Sequence, residues 1–147
     1  LAIMYEDMND TNRSDSLFLN MINQNENDAG GRNDYAYILS ERKESSKDDF
    51  NYALQLAESA IAIDPENAAF LDTIGWIYYK LETYQKAEEF LEKSLSINDD
   101  NPVILEHLGD IYIKLNKTTE AINTYEKILK IDSDNQMIRN KINNIYD

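Results

Sequence analysis

Apolar residues in the stretch 70–81 recur at intervals of three and four, which is the spacing of one face of a helix. The same residue types return 34 positions later in the stretch 104–115, where Gly75 is matched by Gly109. The match continues without a gap as far as Ile131. A two-residue polar connector separates the two helical stretches within each of these repeats, so the two helices must run antiparallel. The pattern therefore predicts pairs of helices that recur at this fixed interval.

The period continues towards the start of the chain in a weaker form. Leu1-Ala2 and Tyr35-Ala36 are separated by the same interval, but five extra residues fall in the polar stretch 41–49. We interpret this stretch as a lengthened turn in which Ser and Asp cap the helix that follows. The predicted divisions are a partial repeat (1–28), a repeat with an extended internal turn (29–67), two complete repeats (68–101 and 102–135) and a C-terminal capping helix (136–147).

Two glycines lie inside predicted helices, where glycine costs about 1 kcal/mol relative to alanine. Gly75 and Gly109 occupy the same position of successive repeats, and Ala87 and Ala121 are small residues on the following helices. We expect these positions to be crossings at which two helices approach closely.

Together these residues resemble the tetratricopeptide repeat. The resemblance is fullest in the set Ile74-Gly75, Tyr78, Tyr84, Ala87, Leu91 and Asp64-Pro65. It implies an all-α fold, an α-solenoid of antiparallel helix pairs coiled into a right-handed superhelix. It also implies a scaffold that binds a peptide or protein segment in its concave groove. The composition, rich in Asn and Ile, favours a bacterial-type member.

In this family the groove is lined mainly by the first helix of each pair. The positions implied here are Asn33, Tyr37, Glu41, Asp72, Trp76, Tyr79, Lys80, Glu106, Asp110, Ile113 and Lys114. Trp76 is the leading candidate for a partner contact, because one repeat later the position holds Asp110 and packing therefore does not demand an aromatic residue there. The alternative is that Trp76 packs against a neighbouring helix, as most aromatic residues at helical spacing do.

Acidic residues are expected to line the rim of this groove. Asp72, Glu106 and Asp110 supply the negative charge, and Lys80 and Lys114 are spaced to pair with them along the helices. An ordinary solvated face is the alternative. The members of this family that bind chaperones use basic and amide residues at the corresponding groove positions to hold a C-terminal carboxylate. We therefore expect a basic or aromatic-rich protein or peptide partner instead.

The charge of the chain narrows the class of partner further. It carries 14 basic and 28 acidic residues, a formal net charge of −14. Such a surface repels nucleic acid and anionic membranes. No apolar run is long enough to span a bilayer, so membrane insertion is not expected.

The chain contains few of the thiol and imidazole side chains that act as nucleophiles, bases or metal ligands. The chain has no cysteine and a single histidine, His107, which we place on a helix surface. The acidic stretches 98–101 and 132–135 lack the glycine and the distal glutamate of a calcium loop, and we assign them to helix capping. We expect no enzyme activity, no metal and no cofactor.

The chain begins with Leu1 inside a helical pattern, which indicates that an earlier part is missing. The truncated end would expose apolar surface near Leu1 and Tyr5 and so favour a homodimer. The alternatives to a binding scaffold are a structural or self-association module and an accessory domain of a larger enzyme or assembly protein. Cytoplasmic and periplasmic locations are both compatible with a chain that lacks cysteine.

Overall fold

The computed structural model describes residues 1–146, and every regular element within them is a helix. The predicted all-α helical-repeat fold is therefore confirmed for this part of the chain. None of these helices combines the length and apolar character that crossing a bilayer requires. The helices are α1 (Ala2–Asp7), α2 (Thr11–Gln24), α3 (Ala29–Glu41), α4 (Lys47–Ile63), α5 (Ala68–Lys80), α6 (Tyr84–Ile97), α7 (Pro102–Lys114), α8 (Thr118–Ile131) and α9 (Gln136–Tyr146).

The helices belong to two compact units, Leu1–Pro65 and Glu66–Asp147. In the first unit α1 packs on α2 and α3 on α4; in the second α5 packs on α6, α7 on α8, and α9 follows α8. The predicted C-terminal helix corresponds to α9, and its last predicted residue, 147, lies outside the described residues.

Local polar residues determine where several helices begin. Ser46 and Asp49 form a reciprocal capping box at the start of α4, as the sequence of the extended turn indicates. Asn67 and Asn101 lie one repeat apart, and each accepts hydrogen bonds from two backbone amides in the first turn of α5 or α7. These caps satisfy amide groups that have no partner within the helix.

The helical glycines permit close packing of α5 on α6 and of α7 on α8. A Cβ atom at Gly75 would overlap Cδ2 of Leu91, and one at Gly109 would overlap Cε1 of Tyr125. Leu91 and Tyr125 are almost fully buried. The predicted close approach is confirmed. At both positions the nearest neighbour is a large side chain, and at Gly75 the backbone oxygen of Ala87 is next, 3.2 Å from such a Cβ.

The extended turn of the first unit is held by Arg42. Its guanidinium donates two hydrogen bonds of 2.8 Å to the Glu6 carboxylate and one of 2.6 Å to Asp15. The hydrogen bonds from Arg42 lower the pKa of Glu6 below its ordinary value, against the opposing effect of burial. Arg42, at the end of α3, thus forms an ionic connection to α1 and α2.

Candidate functional site

In the second unit, three aromatic rings form a stack that links α5 to α7. The Trp76 ring lies parallel to the Tyr79 ring at 4.6 Å between centroids and nearly parallel to the His107 ring at 4.0 Å. The Lys80 ammonium is 4.9 Å from the Trp76 centroid. Trp76 is half-buried. Much of the Trp76 ring therefore contacts other residues of the protein, as expected if Trp76 packs against a neighbouring helix.

Asp72 and His107 form a buried polar pair beside this stack. Nδ1 of His107 is 2.8 Å from Oδ1 of Asp72, and each residue is only 8% exposed. This corrects two expectations: His107 is not on a helix surface, and Asp72 does not line an acidic rim. Both corrections have the same physical reason. The imidazole and the carboxylate are hydrogen-bonded to each other, and this allows both polar groups to be buried.

Lys141 of α9 forms ion pairs with both of the other predicted rim carboxylates. Its ammonium donates to Glu106 at 2.8 Å and to both oxygens of Asp110 at 2.7 and 2.8 Å. The Tyr125 hydroxyl donates to the same Asp110 oxygen that is nearest Lys141, at 2.5 Å. The cation that pairs with Glu106 and Asp110 thus comes from α9, whereas we expected it to be Lys80 or Lys114.

Burial and charge within this network change the pKa values of its members. Burial would lower the pKa of Lys141, but its hydrogen bonds to Asp110 and Glu106 outweigh that effect and raise it. Burial raises the pKa of Tyr79 and of Tyr125, and the Asp110 charge raises both further. The two phenols therefore stay neutral, and the ammonium stays charged, throughout the physiological pH range.

A cleft with a volume of about 330 Å³ opens next to the network. It is bordered by side chains from α5, α7, α8 and α9. They are Tyr79, Asp110, Ile113, Lys114, Tyr125, Lys141, Asn144 and Ile145. The first four of these are residues that the sequence predicted for the groove. Ile113 is 37% exposed, and Lys114 is exposed as well.

The three predicted groove residues of the first unit lie on α3. Asn33 is buried, and its side-chain oxygen has no hydrogen-bond partner among the described residues. Tyr37 and Glu41 are exposed, and Glu41 borders a separate polar cavity of about 590 Å³ near the extended turn. Their part in binding stays a prediction.

Sequence reasoning missed the other four residues that border the cleft, which come from α8 and α9: Tyr125, Lys141, Asn144 and Ile145. One signal could have found Lys141: it follows His107 by one full repeat interval and so occupies the same position of the next repeat. Among residues 1–146, no group of three or more histidine, aspartate or glutamate side chains is placed to hold a metal ion.

Comparison with known proteins agrees with this architecture. Residues 46–128 match the sequence model of the family described as anaphase-promoting complex, cyclosome, subunit 3. A curated relative, the bovine (Bos taurus) BBSome complex member BBS4, is 37% identical over 60 residues, or 41% of this chain. The chain spans 12% of the length of that relative.

Solved structures share the same fold at low identity. A thermophilic TPR protein of Thermus thermophilus is 22% identical, with a TM-score of 0.84 over 99% of this chain and 78% of that one. The second TPR domain of human RPAP3, solved in complex with the HSP70 peptide SGPTIEEVD, is 20% identical. Its TM-score is 0.63 over 69% of this chain and 84% of that domain. The chain thus belongs to the tetratricopeptide-repeat proteins, within the family described as anaphase-promoting complex, cyclosome, subunit 3.

Proposed function

We propose that this chain is a protein-interaction scaffold, without catalytic activity, that binds a peptide or protein segment on the second unit. The proposed contact surface is formed by α5, α7 and α9. It centres on the cleft beside Tyr79 and Ile113.

The observation that carries this proposal is the cleft itself. Its walls present the Tyr79 ring and two isoleucine side chains, the aromatic and apolar lining that is typical of binding pockets. The adjoining face of α7 also exposes Val103. The human RPAP3 domain, which has a similar fold, was solved with a peptide bound, and this supports a peptide as the class of partner.

The arrangement of charges favours an aromatic or apolar partner over a basic one. The expectation of a basic partner rested on Asp72, Glu106 and Asp110. The first is buried against His107, and the other two are paired with Lys141. A basic peptide would have to displace Lys141 to reach them.

The first unit contributes proposed contacts of its own. We keep Tyr37 and Glu41 of α3 in this role, because the family resemblance assigns these positions to the groove; Asn33, which the resemblance assigns there too, is buried. Tyr37 and Glu41 are exposed and so accessible to a partner.

Peptide selection followed by titration tests the proposal. A phage-displayed library of random peptides is selected on the whole chain, and enriched peptides are synthesised and titrated. Ile113→Asp is expected to weaken their binding at least about tenfold, because it places a charge in the apolar wall. Ile97→Asp is the matched control, since Ile97 is 43% exposed at the end of α6 and does not border the cleft. No enriched peptide, or equal binding to both variants, would contradict the proposal.

Self-association is a second candidate, favoured by the first helix. Leu1, Ile3, Met4 and Met8 are all exposed apolar residues on or next to α1. Light scattering over a hundredfold range of concentration tests it. A mass that rises with concentration and returns to that of a monomer in Met4→Glu would support a homodimer through this end. A constant monomer mass would exclude it.

A further inference from the structure

We infer that the cleft of the second unit binds one large aromatic side chain that is followed in its peptide by a carboxylate-bearing residue. This inference rests on the proposed function and specifies its ligand. It keeps the aromatic half of the sequence-based expectation of a basic or aromatic-rich partner and reverses the basic half.

The interior of the cleft is suited to an apolar group. Tyr79, Ile113 and Ile145 form walls from three different helices. A volume of about 330 Å³ lies at the lower end of the roughly 300–1,000 Å³ of ligand pockets. It is therefore suited to one bulky side chain rather than to a folded segment.

The polar floor of the cleft is already satisfied from within the protein. Asp110 accepts hydrogen bonds from Tyr125 and from Lys141, so its carboxylate does not need a partner from the ligand. An apolar occupant can cover these groups without leaving a donor or acceptor unpaired. A lysine or arginine would instead lie beside the Lys141 ammonium and compete with it for Asp110.

Lys114 is the charged group of the cleft that lies outside the Lys141 network, and with Glu106, Asp110 and Lys141 it brings the four charges to zero. Lys114 is exposed on the wall and forms no ion pair with any described residue. A carboxylate next to the inserted side chain would lie close to this ammonium. Because an exposed pair contributes little, we expect the carboxylate to improve affinity by only about threefold to fivefold, and less at high salt.

The test uses the random-peptide library, with the enriched peptides synthesised with both ends blocked. We expect an aromatic residue followed within two positions by Asp or Glu. Changing that acidic residue to its amide should weaken binding about threefold, and Lys114→Glu should weaken it about tenfold. The matched control is Lys127→Glu, an exposed lysine of α8 away from the cleft, which should change affinity less than twofold.

The outcomes separate this inference from the proposed function. Peptides that bind through Ile113 but carry basic neighbours, or bind Lys114→Glu as well as the control variant, would overturn the inference and leave the scaffold function standing. Binding that appears only when the same peptide is synthesised with a free C-terminal carboxylate would also overturn it. If no peptide binds at all, the proposed function fails and the inference fails with it.

Discussion

His107 and Lys141 occupy the same position of successive repeats, and each contacts the two residues that lie 35 and 31 positions before it. His107 thus connects α7 to α5, and Lys141 connects α9 to α7. The contacts are His107 with Asp72 at 2.8 Å and with Trp76 at 4.0 Å between ring centroids, and Lys141 with Glu106 at 2.8 Å and with Asp110 at 2.7 Å.

Removing His107 should destabilise the second unit through Asp72. His107→Ala leaves a buried carboxyl group without its partner, which should lower the free energy of unfolding by about 2 kcal/mol. Urea unfolding followed by the fluorescence of Trp76, the single tryptophan, measures the change. In a double-mutant cycle, Asp72→Ala combined with His107→Ala should cost less than the sum of the two, by at least about 1 kcal/mol. Additive costs would show that the pair contributes nothing beyond packing.

Replacing Lys141 should loosen α9. Lys141→Met removes the cation between Glu106 and Asp110, which should cost about 1–2 kcal/mol and speed amide hydrogen exchange in α9. Lys130→Met, at an exposed position of α8, is the control. Because the pKa of Lys141 is raised, its contribution is complete below its ordinary value near 10.5 and disappears as the pH rises through the folded-state pKa. Equal exchange rates in α9 of the two variants would contradict this role.

The helical glycines give a prediction with opposite signs at two positions. Gly109→Ala should destabilise the chain by about 1–3 kcal/mol, because the rigid, buried Tyr125 ring cannot move away from a new Cβ. Gly30→Ala should stabilise it by about 0.5 kcal/mol, since a Cβ there meets nothing closer than 3.7 Å. Thermal unfolding followed by circular dichroism compares the two variants. A Gly109→Ala protein as stable as Gly30→Ala would show that the crossing is looser than the structure indicates.

Glu6 gives a pH-dependent prediction for the first unit. Its pKa is lowered, so the stability it contributes is complete above its ordinary value near 4.5 and is lost as the pH falls through the folded-state pKa. At pH 7, Glu6→Gln should cost about 1–3 kcal/mol, because Arg42 loses a charged partner. The difference from the unmodified chain should shrink below pH 4. A difference that is unchanged at pH 3 would assign the cost to packing instead of to the ion pair.

The sequence predicts the helix pairs because periodicity is local, and it predicts the glycine crossings because glycine is costly within a helix. It fails where the environment of a side chain depends on the following repeat. Asp72 is of a charged residue type that usually lies at the surface. It is buried beside His107, its hydrogen-bond partner in the next repeat. Asp110 lies four positions before Lys114 on α7, the spacing that isolated helices use for ion pairs, yet it is Lys141 of α9 that reaches Asp110 and Glu106. The partners of these side chains lie in the next repeat, and the residue pattern within one helix does not identify them.

Chemical-shift mapping tests the central claim most directly. The backbone amides of the labelled chain are followed by NMR as a selected, end-blocked peptide is added. The account predicts that the perturbed amides cluster in α5, α7 and α9 around Tyr79, Ile113 and Ile145. Perturbations confined to the exposed faces of α6 and α8, around Glu89 and Lys127, would contradict it.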